Sequence, residues 1–235
     1  MQRLPEPELM DDALQALAYA AADFSATDQA LVDTVLERLA AVSPLATGPA
    51  ERMLDLGCGP GNISFRLAQA CPAATVLGLD GAAAMIGLAN QRLQNDPSRW
   101  TGLRFQRACL PLAPGAIANL TGAWRPPFTT LVSNSLLHHL HDPQVLWRSL
   151  RQLGAPKALV VVRDLRRPRD QEALEALVEC HAAGAPAVLR RDFALSLRAA
   201  FRADEVSEQL QAAGLQELTV RELDDRHLEV VGRLT

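Results

Sequence analysis

The run Asp55-Leu56-Gly57-Cys58-Gly59-Pro60-Gly61-Asn62 sets alternating glycines just after a carboxylate. Glycine lets the backbone turn sharply and approach a ligand with no side chain in the way. Where such a turn opens a helix, the first N–H groups have no intrahelical partner and can meet a ligand. Downstream, Val76 to Leu79 ends in Asp80. A carboxylate at that distance from a glycine turn can accept both hydroxyls of a ribose. A further cluster follows at Ser133-Asn134-Ser135-Leu136-Leu137-His138-His139-Leu140-His141-Asp142-Pro143. Histidine titrates near neutrality and can take a proton from an O–H, N–H or S–H group. His139, with His138 second, is the candidate base. The bland reading is a pair of core or capping histidines. A metal is not expected: the histidines lack helical i, i+4 spacing, and no Cys or Glu accompanies them. Asp164 and His227 are second-rank polar candidates at the same edge, and each reads equally well as a turn residue.

Two ligand classes can use a glycine turn paired with a distal carboxylate. A nicotinamide dinucleotide prefers GxGxxG, whose third glycine allows close helix packing. Here Asn62 takes that place and the glycines run GxGxG. Asp55 is also ill placed beside a pyrophosphate, and it suits a ligand bearing an amino group or a positive charge.

These residues need elements to hold them. Met53–Leu56, Thr75–Leu79, Leu103–Gln106, Thr129–Ser133 and Ala158–Val162 read as strands, the last an unbroken apolar run suited to burial on both faces. Residues 61–70, 82–94 and a helix begun by Asp142-Pro143 and stopped by Gly154 lie between them. Repeated β-α units predict a parallel sheet covered on both sides. A helix over Asp204–Gly214, then strands at Glu217–Glu222 and His227–Val231 around an Asp224-Asp225 turn, predict an antiparallel edge. Ahead of the sheet, residues 8–21 and 28–40 read as helices, with Thr27 an N-cap and Pro44, Gly48 and Pro49 a break.

The expected organisation is a helical segment over residues 1–50 and a domain over 51–235 with a helical insertion at 165–202. That insertion follows the carboxyl end of a central strand, where open α/β sheets bind ligands, and is read as a cap. Its arginines (Arg166, Arg167, Arg169, Arg190, Arg191, Arg198 and Arg202) admit a pocket for an anionic substrate, a contact with RNA, or a solvated face paired with Glu172, Glu175 and Glu179. Trp147 reads as packing.

With 235 residues, 49% hydrophobic and 21% charged, the chain is ordinary globular protein. A net charge of -4 argues against non-specific nucleic-acid binding. No apolar run reaches membrane-spanning length. The opening MQRLPEPELMDD is acidic where a signal peptide needs a basic start, so a cytoplasmic location is expected. Cys58, Cys71, Cys109 and Cys180 form no CxxC and are expected to be free, mostly buried thiols.

MLDLGCGPGNISFRLA resembles motif I of the class I S-adenosylmethionine (SAM)-dependent methyltransferases, and VLGLD resembles their second, acidic motif. The resemblance covers residues 51–164 and the terminal helix and hairpin, leaving 1–50 and 165–202 uncovered. It implies a Rossmann-like, doubly wound, mostly parallel seven-stranded sheet with an antiparallel C-terminal hairpin. It implies SAM as cofactor and S-adenosylhomocysteine (SAH) as product. The turn Gly57, Cys58, Gly59, Gly61 and Asn62 would pack against the methionine part, with Asp55 orienting that end. Asp80 would hold the ribose hydroxyls, and Gly81 and Met85 would belong to the same cofactor set. The adenine position departs from the family: Gln106 stands where an acid is common, so its amide oxygen, or the backbone of Cys109 and Leu110, would serve. Ser133 and Asn134 would complete the cofactor set. The "LHHL-x-DP" segment resembles that of small-molecule methyltransferases, including quinone C-methyltransferases. Base-directed amine methyltransferases carry Asn/Asp-Pro-Pro-Tyr/Phe there, which Ser133-Asn134-Ser135-Leu136 does not match. The expected activity is methyl transfer to a small molecule. The alternatives are a SAM-binding sensor or partner subunit, and a nicotinamide-dependent oxidoreductase.

Overall fold

A computed structural model of the chain describes residues 1–41, 51–113, 115–118 and 120–235; the expected break at Pro44, Gly48 and Pro49 lies outside them. Its elements are α1 (Ala13–Ala21), α2 (Ser25–Ala40), β1 (Arg52–Leu56), α3 (Asn62–Ala70), β2 (Thr75–Asp80), α4 (Ala83–Gln94), β3 (Leu103–Arg107), β4 (Phe128–Asn134), α5 (Gln144–Leu153), β5 (Gly154–Leu165), α6 (Gln171–Ala182), α7 (Ala187–Ala199), α8 (Ala203–Ala213), β6 (Thr219–Glu222) and β7 (His227–Arg233).

The strands form one sheet in the order β3-β2-β1-β4-β5-β7-β6. The first five are mutually parallel, and β7 runs antiparallel to both β5 and β6. The chain reverses its winding direction between β1 and β4, the place where open parallel sheets leave a crevice at their carboxyl ends. Successive residues of the central strands feed opposite faces. Leu54, Leu77, Leu131 and Val160 pack with Trp147, Leu150, Val206 and Leu210 of α5 and α8. Met53, Val76, Val132 and Val161 pack with Leu31, Val35, Ile63, Leu67 and Ala89 of α2, α3 and α4. Burial on both faces explains why these strands read as continuous apolar runs. Trp147 is fully buried, and its indole N–H donates to Gln209 at 3.0 Å.

Several local expectations change. The first helix begins at Ala13 because Asp12 caps it, accepting from Gln15 N–H at 2.9 Å. Residues 8–12 belong instead to an extended N-terminal segment. Thr27 is no cap: α2 starts two residues earlier, and the Thr27 hydroxyl donates to the Phe24 carbonyl. Of the four cysteines only Cys58 is buried, while Cys109 and Cys180 are exposed.

One buried ion cluster ties the helical preface to the sheet. Glu229 of β7 is fully buried and accepts from Arg163 of β5 at 2.7 Å and from Arg221 of β6 at 2.6 Å. Arg163 also reaches Thr34 of α2 at 3.2 Å. Removing one partner of such a pair leaves a buried charge uncompensated. Glu229→Ala is therefore expected to cost about 3–5 kcal/mol in urea denaturation.

Candidate functional site

The carboxyl ends of β1, β2, β4 and β5 open into one cavity of about 920 Å³. The polar groups reach it because parallel strands all end on the same edge. After β1, Gly57 and Cys58 donate their N–H groups to the Leu79 carbonyl at 2.8 and 3.0 Å, which locks the glycine turn onto β2. Gly57 and Gly59 both have positive φ, +73° and +52°, conformations that disfavour any residue with a Cβ. A Cβ on Gly57 would meet Leu136, whereas one on Gly59 would meet nothing within 4 Å, so the Gly59 backbone lies bare to the cavity. Asp80 sits beside it: one carboxylate oxygen accepts from Gly59 N–H at 2.9 Å and the other from Ala82 N–H at 2.8 Å. Each oxygen keeps a second lone pair for a ligand. Burial raises the Asp80 pKa.

A crevice continues from this cavity past Gly57, Gly59 and Asn134 to Asp55, Cys58 and Asn62. Two buried carboxylates line it. Asp55 accepts from the Ser64 hydroxyl at 2.6 Å, and burial pushes its pKa up to about 7. Asp28, from α2, lines both spaces, and burial pushes its pKa up to about 6. Arg66 and the Asn62 side chain offset that rise at Asp28. A cationic ligand group beside the two carboxylates would offset the desolvation that raises their pKa values. Asp28 escaped the sequence reading because it sits on the apolar face of a helix outside the recognised motifs.

The other expected residues separate into two groups. Gly81, Met85, Cys109, Leu110 and Asn134 line the cavity. Gln106, Ser133 and Gly61 do not. The Gln106 amide donates to the Ala116 carbonyl and its Oε1 is buried with no partner among the described residues. Ser133 is fully buried and donates its hydroxyl to the Leu56 carbonyl. Gly61 packs against Phe105, where a Cβ would come within 2.6 Å.

At the end of β4, Ser135 takes a left-handed φ of 56° and the chain enters a 3₁₀ turn, Leu137–His139. Asp164 fixes that turn. Its buried carboxylate accepts from the N–H groups of Leu137 and Leu165, each at 2.7 Å, and meets His138 Nδ1 at 2.5 Å. The carboxylate raises the His138 pKa against the opposing effect of burial. His139 behaves oppositely: burial and the neighbouring His138 push its pKa down to about 3. This favours the neutral ring and weakens His139 for the expected role of general base. Both rings line the cavity.

The N-terminal segment carries residues the sequence reading missed. Arg3 stacks over Phe201 and donates to the carbonyls of His138 and Leu140, each at 3.0 Å. Glu6 brings Oε1 to 3.4 Å from His138 Nε2 and 3.5 Å from His139 Nδ1. Leu9 packs on Gly81, and Asp11 accepts from Ala83 N–H at 2.7 Å. No local pattern links Glu6 to histidines more than 130 residues away.

The insertion roofs the cavity. His181, Pro186, Leu189, Asp192, Phe193 and Ser196 line it, and α6 and α7 share a small core with Leu165 and Ala200. Its arginines do not line the cavity. Arg190 pairs with Glu179, Arg191 with Asp192, Arg166 with Glu222 and Arg167 with Glu205. The cations that do line it are Arg163 and Arg226, beside His181 and His227.

Comparison with known proteins agrees with this architecture. The family described as "Methyltransferase domain" matches residues 54–160. Trans-aconitate 2-methyltransferase of Deinococcus radiodurans is 40% identical over 111 residues, covering 45% of this chain and 36% of that protein. An uncharacterized methyltransferase of Mycobacterium tuberculosis is 31% identical over 146 residues, covering 62% and 65%. The chain thus spans less than two thirds of these relatives. Among solved structures, a SAM-dependent methyltransferase from Aquifex aeolicus superposes with a TM-score of 0.62 at 16% identity, over 95% of this chain and 99% of that one. A plantazolicin methyltransferase in complex with SAH gives 0.63 at 12% identity, over 89% and 84%. At these identities the likeness is one of fold.

The buried carboxylates give the protein a pH signature. The folded pKa of Asp55, about 7, lies above the ordinary 3.8, so between those values the folded state holds a proton that the unfolded state has lost. Asp55's contribution to stability is full below about pH 4 and falls as pH rises towards about 7. Asp55→Asn is expected to flatten this decline and to stabilise the ligand-free protein at pH 8, read by urea denaturation across that range.

Proposed function

We propose that the chain carries a class I SAM-dependent methyltransferase domain and moves a methyl group from SAM to a small-molecule acceptor. The observation that carries this reading is a cavity lined by Asp80, Asp28 and the bare Gly59 backbone, beside a small crevice of Asp28 and Asp55 that shares Gly57, Gly59 and Asn134 with it. The donor set fits SAM at both ends. Asp80 has lone pairs free for the ribose hydroxyls. Asp28, Asp55 and Asn134 suit the positively charged methionine end. Met85, Leu110 and Cys109 offer a largely apolar wall for adenine. A dinucleotide fits poorly, because two carboxylates stand where a pyrophosphate would need donors. A cavity of about 920 Å³ is near the upper end of the roughly 300–1,000 Å³ found for ligand sites, which leaves room for an acceptor beside the cofactor. That room favours an enzyme over a sensor that only binds SAM.

The bound sulfonium supplies an electrophilic methyl group, so the chemistry resides in the cofactor. The chain's own task is alignment and exclusion of water. The glycine turn and Asp80 fix one partner against the sheet edge. The α6–α7 roof and the N-terminal segment cover the other. Ser135, His138 and His139 front the acceptor side. Arg163, Arg226, His181 and His227 line the cavity beneath the insertion. Guanidinium groups recognise carboxylates well. Arg163 is already paired with Glu229 and Arg226 with Asp225, so the case for an anionic acceptor rests on the trans-aconitate 2-methyltransferase relatives, which make carboxylic acids the natural starting set for a screen.

Calorimetry with SAM and SAH tests the reading directly. The chain is expected to bind both and not NAD. Asp80→Asn loses charge-assisted hydrogen bonds, each contributing about 1.5–3 kcal/mol, so affinity should fall by tenfold or more. A melt of the ligand-free variant controls for loss of the Gly59 and Ala82 bonds. Binding of SAM at wild-type strength by Asp80→Asn would refute the assignment.

A further inference from the structure

We propose that Glu6, His138 and His139 form a binding site for a divalent transition-metal ion of the zinc or ferrous class, at the acceptor edge of the cavity. The ion site rests on side-chain geometry, whereas the ion's role towards an acceptor rests on the proposed methyl transfer.

One ligand atom from each of the three residues lies within 4.8 Å of the other two. Glu6 Oε1 stands 3.4 Å from His138 Nε2 and 3.5 Å from His139 Nδ1. For metal–ligand bonds of 2.0–2.1 Å, the edge of a coordination tetrahedron is about 3.4 Å. Two of the three edges already have that length, and the third, between the histidines, is at most 4.8 Å.

Glu6 Oε1 is itself the second observation. It is buried and has no hydrogen-bond partner among the described residues, on a side chain only 10% exposed. Leaving a carboxylate oxygen in that state is costly. The tautomer of His138 deepens the problem. Its Nδ1 faces Asp164 at 2.5 Å, so the ring's proton belongs on that side. In the neutral ring the Nε2 lone pair then points at the lone pairs of Glu6, so either a proton or a metal ion belongs between them. A cation between the two turns this repulsion into coordination. Asp164 at the far nitrogen is the outer partner that metal-bound histidines commonly have, fixing ring orientation and raising ligand basicity. His139 Nδ1 lies 3.3 Å from the Pro7 carbonyl, a long contact that an ion would replace.

Two imidazoles and one carboxylate suit zinc, iron, cobalt or manganese, whereas magnesium and calcium prefer oxygen alone. Both histidines line the cavity, so a remaining coordination position would face the acceptor space. There an ion would act as a Lewis acid towards an acceptor oxygen or nitrogen and ease loss of its proton. Neither histidine need then serve as the base itself.

The test uses the full chain, free of any affinity tag and stripped with a chelator. It is titrated with Zn²⁺ by calorimetry and with Co²⁺ by visible absorption. The expected result is saturable binding of one ion per chain, with the intense cobalt bands of four- or five-coordination. Asp164→Asn should weaken binding about 10–100-fold by loosening His138. Glu6→Gln and His139→Gln, which remove ligands, should weaken it at least as much. His181→Gln, in a separate cluster with Asp225 and Arg226, should leave it unchanged. Failure of the wild-type chain to bind saturably, or unchanged binding in folded Glu6→Gln and His139→Gln, overturns the site. So does loss of binding in His181→Gln. SAM binding measured on the same samples reports separately on the methyltransferase reading.

Discussion

The carboxylate of Asp164 is the anchor on which the acceptor side of this protein depends. It is 1% exposed and meets three partners: the N–H of Leu137, the N–H of Leu165 and the ring of His138. The first bond sets the 3₁₀ turn that carries both histidines. The second holds the chain where β5 hands over to the insertion. The third aims a ring at the N-terminal segment. A buried carboxylate is tolerated only when its lone pairs are satisfied, so these three contacts stand or fall together.

The opposite side is organised by Asp80, which clamps the glycine turn through Gly59 and begins α4 through Ala82. Between the two anchors the cavity has distinct electrostatic ends. Asp28 and Asp55 make the crevice acidic, while Arg163 and Arg226 face the space under the insertion. Arg163 holds this position because Glu229 neutralises it from β7. The antiparallel hairpin thus serves the site as well as closing the sheet. The cover is assembled from remote pieces: the first dozen residues, α1 and the α6–α7 pair.

Much of the fold was legible because its signals are local. The alternating apolar strands, the glycine turn and Asp80 follow from periodicity and short motifs that physical chemistry ties to one geometry. Element boundaries moved by a few residues, as at Asp12, which caps α1, and at β5, which runs Gly154–Leu165 rather than Ala158–Val162. The site was legible in the parts that lie on the motif strands. It misled where side-chain direction mattered. Gln106 turns to the Ala116 carbonyl, Ser133 faces the Leu56 carbonyl, and insertion arginines such as Arg167 and Arg190 find acidic partners away from the cavity.

By itself the sequence determined the sheet, the glycine turn and the carboxylate that faces it, since each depends on neighbours within one β-α unit. Only the tertiary structure decided that Asp28 joins Asp55 and that Glu6 meets His138 and His139. It also decided that Arg163 and Arg226, rather than the insertion's arginines, line the cavity. Those meetings bring together residues from distant parts of the chain, and burial then changes how they ionise. Neither the contact nor the desolvation leaves a periodic trace in the order of residues.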